Sequence, residues 1–462
     1  MFRNLFFSFF SSLAISQTSY AQDIINQQLK IPIINAIETN YGIKNKLLEV
    51  DKNKYQIDEI KGKLKPDVSA LALGSYFYSN GIIDIPTKSL NHLGITLFEG
   101  NQSFNNSLFI GSIGVNAKQV IFSGLQIPNA VKAIEEKNIA FDYLADAEKE
   151  TIAKDVIETF DQIMLLEKVQ ELIDNSAKRL NREHLKVQKA IQNGLAIPYD
   201  REKIKLALLE LENKQIELNG TRKLLYEKLA MLTHLPKDNL ELIHYNLSPI
   251  DLLANAYSLE NKHEIKALEH SIKAYEFLYK KEKGSHLPQV FAFAGSSYSS
   301  IFGQRLNLMN VANTNRDIKL KVNQLTFFPN ILLGIGAKWE IFDGGQHKNR
   351  LLQAKSDIEI NENKLIDTKE KLNLLLSKNK IDYETSTQKL KVNEQQNTVA
   401  SNNLEIASKR FQEGLIDVTE RLSAENDYYK ANLGYYSQIL DQRSKTYEIL
   451  NTSGELLNKI LN

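Results

Sequence analysis

The 462-residue sequence contains no cysteine. Disulfides, thiolate metal sites, cysteine nucleophiles and a lipidated cysteine anchor are therefore excluded. Proline is scarce, with nine residues in the whole chain, and no Pro/Gly/Ser-rich stretch marks a linker between domains. An excess of one charge is also missing, since 57 Lys and Arg stand against 56 Asp and Glu. A nucleic-acid binder would carry a basic stripe, and this balance gives no footprint for one. Beyond the N-terminus no run of 18 apolar residues occurs, so no transmembrane helix is expected. The eight histidines, His92, His184, His234, His244, His263, His270, His286 and His347, are scattered, and no two have the i, i+4 spacing of a helical metal site. A P-loop, H-E-x-x-H and G-x-S-x-G are all absent. Catalysis, cofactors and metals have no motif to rest on, and none is expected.

What the chain does contain, it contains twice. Residues 114–126 read GVNAKQVIFSGLQ and residues 334–346 read GIGAKWEIFDGGQ, with seven of thirteen positions identical. Gly194-Leu195 then recurs as Gly414-Leu415, so 70 residues separate each IF-x-G glycine from its Gly-Leu. Leu64-Lys65-Pro66 and Leu287-Pro288 stand upstream of the two copies. This is a duplicated half rather than a short solenoid unit. The expected organisation is a leader over 1–21, a first repeat over 22–242 and a second over 243–462. Each repeat is read as helix, β-hairpin (about 66–122 and 288–342), long helix, tip (194 and 414) and return helix.

The leader rests on Arg3, an apolar run from Leu5 to Ile15, and Ser19-Tyr20-Ala21. That is the basic, apolar and small-x-small order of a secretory signal, with an apolar core too short to span a bilayer. Removing Arg3 with it leaves 56 basic and 56 acidic residues, a net charge of zero.

After Pro66 the apolar period becomes two, the period of a strand. In residues 331–341 one face carries Ile331, Leu333, Ile335, Ala337, Trp339 and Ile341. The other carries Leu332, Gly334, Gly336, Lys338 and Glu340. The matching run sets Phe109, Ile113, Val115, Ala117 and Ile121 against Ser112, Gly114, Asn116 and Lys118. Strands of about ten residues, apolar outside and polar inside, are the unit of a transmembrane β-barrel. Asn116, Lys118, Lys338 and Glu340 would face its lumen, and Trp339 would sit in an interfacial aromatic belt. Loops are expected at 80–105 and 302–324, where Gly, Asn and Pro gather. Four strands cannot close alone, and open edges are not tolerated in lipid, so several chains must share one barrel.

The interval between Gly344 and Gly414 holds no proline, and that between Gly124 and Gly194 only Pro128, near its start. A helix of this length would extend about 100 Å. The return helices carry heptads: Ile204, Leu211, Leu218, Leu225 and Leu232, and in the second repeat Leu415, Leu422, Tyr429 and Tyr436. A sustained seven-residue repeat implies a left-handed coiled coil. The fold class is mainly α with β: long coiled-coil helices joined to a β-barrel to which each chain gives four strands, internally duplicated.

These features together resemble the TolC-like outer-membrane efflux protein family over essentially the whole mature chain. The resemblance is carried by Leu64-Lys-Pro66 and Leu287-Pro288, by Ile121-Phe-Ser-Gly124 and Ile341-Phe-Asp-Gly-Gly345, and by Arg410-Phe-x-x-Gly414-Leu415 with Leu422 and Ala424 beyond. It implies a homotrimer in the outer membrane of a Gram-negative bacterium, with a twelve-stranded barrel and helices that cross the periplasm. Such a passive duct serves efflux or type I secretion, meets outer-membrane lipid, and works with a periplasmic adaptor and an inner-membrane pump of RND or ABC type. Gly194, Leu195, Gly414 and Leu415 would form the adaptor-facing tips. Family channels narrow the periplasmic entrance with carboxylates six residues past each tip glycine, here Asp200 and Glu420. A further ring carboxylate is replaced by Ser423, and the family's latch tyrosine and arginine by Phe411 and Ile416, so closure is expected to rest on apolar packing. Two other classes remain as alternatives. A periplasmic adaptor would need a lipoyl-like domain between hairpin halves, and a structural coiled coil of the envelope would not interrupt itself with paired amphipathic strands.

Overall fold

The computed structural model describes residues 26–85, 100–308 and 317–461, and the expected leader at 1–21 lies outside them. In chain order the elements are α1 (Lys30–Thr39), α2 (Tyr41–Gly62), β1 (Asp67–Ile85), β2 (Gly100–Phe122), α3 (Gln126–Gln192), α4 (Pro198–Thr233) and α5 (Lys237–Glu241). They continue with α6 (His263–Gly284), β3 (Gln289–Leu308), β4 (Ile318–Lys338), α7 (Gln346–Gln412), α8 (Val418–Ser453) and α9 (Leu456–Leu461). The second half thus repeats the order helix, strand pair, 67-residue helix, 36-residue helix. These residues divide into two compact units, one comprising 46–143 and 265–368, the other the remainder.

The first unit holds one antiparallel sheet in the order β1-β2-β3-β4. Its strands run 19, 23, 20 and 21 residues, about twice the expected length. Most of the described residues within the loops read at 80–105 and 302–324 are ladder instead: Asn80 pairs with Asn105, Gly81 with Phe104, and Asn307 with Lys319. Gly and Asn lower strand propensity only weakly, and a continuous ladder on each side outweighs that preference. Residues 86–99 and 309–316, between the strand ends, lie outside the described residues.

Register places Asn116 opposite Gly295, and Lys118 and Gly334 on either side of Phe293, on a common face. That face is less polar than the single-strand pattern implied, because β3 brings Phe291 and Phe293 onto it. The glycines accommodate these rings. A Cβ on Gly334 would lie 2.6 Å from the Phe293 ring, and one on Gly336 would lie 2.7 Å from the Phe291 ring. On the opposite face Ile331, Leu333 and Ile335 are 67%, 73% and 75% exposed.

The duplicated IF-x-G segment is a strand-to-helix turn. Gly124 and Leu125 have φ of 66° and 64°, and Gly344 and Gly345 have φ of 67° and 84°. Ser123 Oγ accepts from the Ile127 N–H at 3.3 Å, and Asp343 Oδ2 accepts from the His347 N–H at 2.6 Å. Both side chains therefore satisfy an orphan donor in the first turn of a long helix. Glycine at 124 is enforced twice over, since its Cβ would also lie 2.4 Å from the Gly284 carbonyl oxygen.

The second unit is helical. Its main core joins Leu29, just before α1, with Ile33 of α1, Val156, Ile157 and Phe160 of α3, Leu229 of α4, Tyr447 and Leu450 of α8, and Leu456 of α9. A second core nearer the helix turns joins Leu180 and Val187 of α3, Ile204, Leu211 and Leu218 of α4, and Val418 and Tyr429 of α8. Along α4 the buried seam follows the expected heptad through Ile204, Leu211 and Leu218, then moves to Tyr226, Leu229 and Thr233. A helix drifts about 20° per heptad against a strict seven-residue repeat, which carries Leu225 and Leu232 off the centre of the seam.

Candidate functional site

The two helix turns are built alike. Gly194 and Gly414 have φ of 71° and 74°, the left-handed conformation that ends a helix and favours glycine. Leu195 N–H donates to the Ala190 carbonyl and Leu415 N–H to the Arg410 carbonyl, both at 2.9 Å. A Cβ on either glycine would meet nothing within 4 Å, so backbone conformation rather than crowding selects the residue. Past each turn a helix restarts, with Pro198 in the first turn of α4 and Asp417 as N-cap of α8. Leu195 is 80% exposed and Leu415 62%.

Both turns line one cavity of about 820 Å³, to which Leu195, Asp200, Phe411, Gly414, Leu415 and Ile416 contribute. Glu420 lies elsewhere: with Ser423, Arg410 and Asp427 it lines a separate groove of about 540 Å³ between α7 and α8. A single chain thus brings the turns, Asp200, Phe411 and Ile416 together, and keeps Glu420 and Ser423 apart from them. Asp200 Oδ2 accepts from the Ile197 N–H at 3.4 Å, and the Glu420 N–H donates to Asp417 Oδ1 at 2.8 Å. Asp200 therefore helps cap its own helix, whereas the Glu420 carboxylate is exposed.

The residues of the sheet unit lie at its helix-proximal end. Lys118 Nζ stands 4.5 Å from the Phe291 ring centroid, a cation–π contact. Asn116 is opposite Gly295, and Lys338 ends β4 opposite Gln289. Glu340 follows the strand and shares a small cavity with Asp343 and Arg350. Trp339 Nε1 donates to the His286 carbonyl at 3.0 Å while more than half of the residue stays exposed.

One cluster escaped the heptad reading. On α8 the seam toward α3 contains Val418, Arg421, Glu425 and Tyr429, with the Arg421 side chain 1% and the Glu425 side chain 7% exposed. Arg421 Nε donates to Glu183 Oε1 at 2.8 Å, and its Nη2 to Glu425 Oε2 at 2.9 Å. Arg179 grips Glu425 with Nη2 at 2.6 Å and Nε at 3.2 Å, and Nη2 also reaches Ser176 Oγ at 2.9 Å. Burial pushes the Glu183 carboxyl up, against the pull of Arg421. Burial also opposes ionisation of Glu425, but the Arg179 hydrogen bond and the two guanidinium charges outweigh it and hold that carboxyl low. The available sequence signal was an Arg-x-x-x-Glu pair on each helix, at 179/183 and 421/425.

Among the described residues no group of three or more His, Cys, Asp or Glu is placed to hold a metal ion, and no helix is long and apolar enough to cross a membrane.

The comparisons agree with this architecture. Residues 256–445 match the family described as outer membrane efflux protein. The outer membrane protein VceC from Vibrio cholerae superposes with a TM-score of 0.67 at 14% identity, covering 92% of this chain and 96% of that one. The CmeC outer membrane channel of Campylobacter jejuni gives 0.70 at 12% identity, covering 98% and 94%. The open-state MtrE outer membrane channel of Neisseria gonorrhoeae gives 0.65 at 16%, covering 93% and 90%. No curated protein sequence matches the chain.

Proposed function

We propose, from the premise that the chain has the fold of TolC-like outer-membrane channels and over residues 256–445 the sequence of an outer membrane efflux protein, that it is the outer-membrane duct of a tripartite export system. The observation that carries this reading is the sheet. Among the described residues β1 and β4 each have one neighbour, leaving two open edges, and one face exposes Ile331, Leu333 and Ile335. Unpaired edges are aggregation sites in water and intolerable in lipid. Closing the sheet with copies of itself removes the edges and turns the apolar face toward lipid. Three chains of four strands make twelve, an even number as bacterial barrels require.

In this arrangement the protein is a passive conduit without a covalent step, and energy comes from its partners. The turns at Gly194-Leu195 and Gly414-Leu415 are the surface offered to a periplasmic adaptor, which links the duct to an inner-membrane pump of RND or ABC type. Leu195 and Leu415 supply exposed apolar contact there. Asp200 and Glu420 gather around the axis in the assembly, with Phe411, Ile416 and Ser423 beside them. Asn116, Lys118, Lys338 and Glu340 face the lumen, and Trp339 marks the membrane interface. The two repeats, 22–242 and 243–462, supply alternating halves of the wall.

Native mass measurement on detergent-extracted protein tests the reading. Three chains are expected, and a stable folded monomer with its strands intact would overturn it.

A further inference from the structure

Across the helix-proximal end of the sheet one row reads Asp67, Lys118, Phe293 and Gly334, from β1 to β4. Next on the same face, Phe291 stands opposite Gly336, and Lys338 ends β4 opposite Gln289. Lys338 is thus a diagonal cross-strand neighbour of Phe291, a separation that a long side chain spans. Lys118 Nζ already stands 4.5 Å from the Phe291 ring centroid. The Phe291 and Phe293 centroids are 6.2 Å apart with 44° between the ring planes, and both residues are half-buried. β3 therefore carries two phenyl rings flanked by a lysine on β2 and another on β4, and Asp67 is the one acid in those rows.

An aromatic ring laid over a cross-strand glycine is a packing device in its own right. The ring tips here fill the space of the absent side chains at Gly334 and Gly336. Packing of that kind calls for rings and glycines, not for lysines on both sides of them. The lumen of a transmembrane barrel is ordinarily polar, so half-buried rings on this face leave apolar area facing water. Small-molecule sites combine such apolar surface with a few placed polar groups, and here the placed groups are cations. A flat apolar body can stack on the rings while an anionic substituent reaches Lys118 or Lys338.

We propose that Phe291, Phe293, Lys118 and Lys338 form a binding site inside the barrel for aromatic anions, small planar molecules that carry a carboxylate or sulfonate. The site rests on the channel reading above, which turns this face toward the lumen. Its charge is opposite in sign to that of Asp200 and Glu420. In the proposed duct an anion arriving from the medium through the barrel reaches the lysines without first meeting those carboxylates.

Conductance of the full-length protein in planar bilayers tests the site, with naphthalene sulfonate added on the barrel side as the probe. Methanesulfonate supplies the charge without the rings, and naphthalene sulfonamide the rings without the charge. The probe should block at a concentration roughly fivefold below either control, the factor expected of one aromatic contact. Phe291→Leu with Phe293→Leu should abolish its advantage over methanesulfonate, and Lys118→Gln with Lys338→Gln its advantage over the sulfonamide. Native mass checks that each variant is assembled, and if the phenylalanine variant is not, the lysine variant carries the test. An unmodified channel blocked equally by naphthalene sulfonate and methanesulfonate would overturn the site, as would an assembled variant that keeps the full advantage. An unmodified protein that forms no pores would instead overturn the channel reading, so the two failures are separable.

Discussion

Glu150, on α3, is wholly buried, and neither carboxylate oxygen has a hydrogen-bonded side-chain partner. Lys262 Nζ is 3.9 Å away and is shared with Glu264 at 3.0 Å and the Asn451 carbonyl at 2.9 Å. Burial outweighs the lysine and pushes the carboxyl up to about 7 from an ordinary 4.5. Between those two values the folded chain holds a proton that the unfolded chain has released. Stability is therefore fully present below the ordinary value and is lost as pH rises through about 7. At ~1.4 kcal/mol per unit the full cost is about 3 kcal/mol. Glu150→Gln should leave thermal stability near that of the unmodified protein at pH 5 and raise it at pH 8, by roughly 1–3 kcal/mol. A difference between the two proteins that is flat from pH 5 to 8 would mean the carboxylate is ionised throughout and adequately paired with Lys262.

At the scale of elements, the helix starts after each turn carry the two carboxylates proposed for the entrance. Asp200 and Glu420 both stand in the first turn of a helix, where the dipole already favours a carboxylate. Three chains would place six carboxylates around one axis, and within a Debye length of ~8 Å such a ring favours cations. Asp200→Asn with Glu420→Gln should lower the cation-to-anion permeability ratio in bilayers and weaken block by divalent cations. Removing the Asp200 charge from the first turn should also cost about 0.3–1 kcal/mol in α4. Unchanged selectivity and block would reduce both residues to solvated helix ends. The strands pose a different matter of scale. At ~3.3 Å per residue, twenty residues extend about 65 Å, against a hydrocarbon core of about 30 Å. In the proposed barrel a sheet this long would reach well past the lipid, with Arg305 opposite Lys321 near its far end.

For the whole molecule, the proposed duct requires the strand connections to face outside and the helix turns to face the periplasm. Epitope tags inserted within 86–99 or 309–316, the segments linking each strand pair, should label on intact cells. Tags at Gly194 or Gly414 should label only after the outer membrane is permeabilised. The opposite pattern would invert the assignment of outside and periplasm.

What the sequence by itself determined was whatever depends on neighbours in the chain. The IF-x-G turns were legible because positive φ and a capping Ser123 or Asp343 are local requirements. The tips at Gly194 and Gly414 were legible for the same reason, as were the helices, through the absence of proline. Periodicity also marked one face of β2 and of β4 as apolar. Tertiary structure decided the rest. Strand length depended on ladders between β1 and β2 and between β3 and β4, which override the Gly and Asn content of residues 80–105 and 302–324. Phe291 and Phe293 joined the face of Gly334 and Gly336 only through the register of β3 against β4. Arg421 and Glu425 read in sequence as ordinary charges on a solvated helix. They become a buried ion-pair network because Arg179 and Glu183, some 240 residues earlier in the chain, arrive opposite them, and a charge can be buried only where its partner is brought to it.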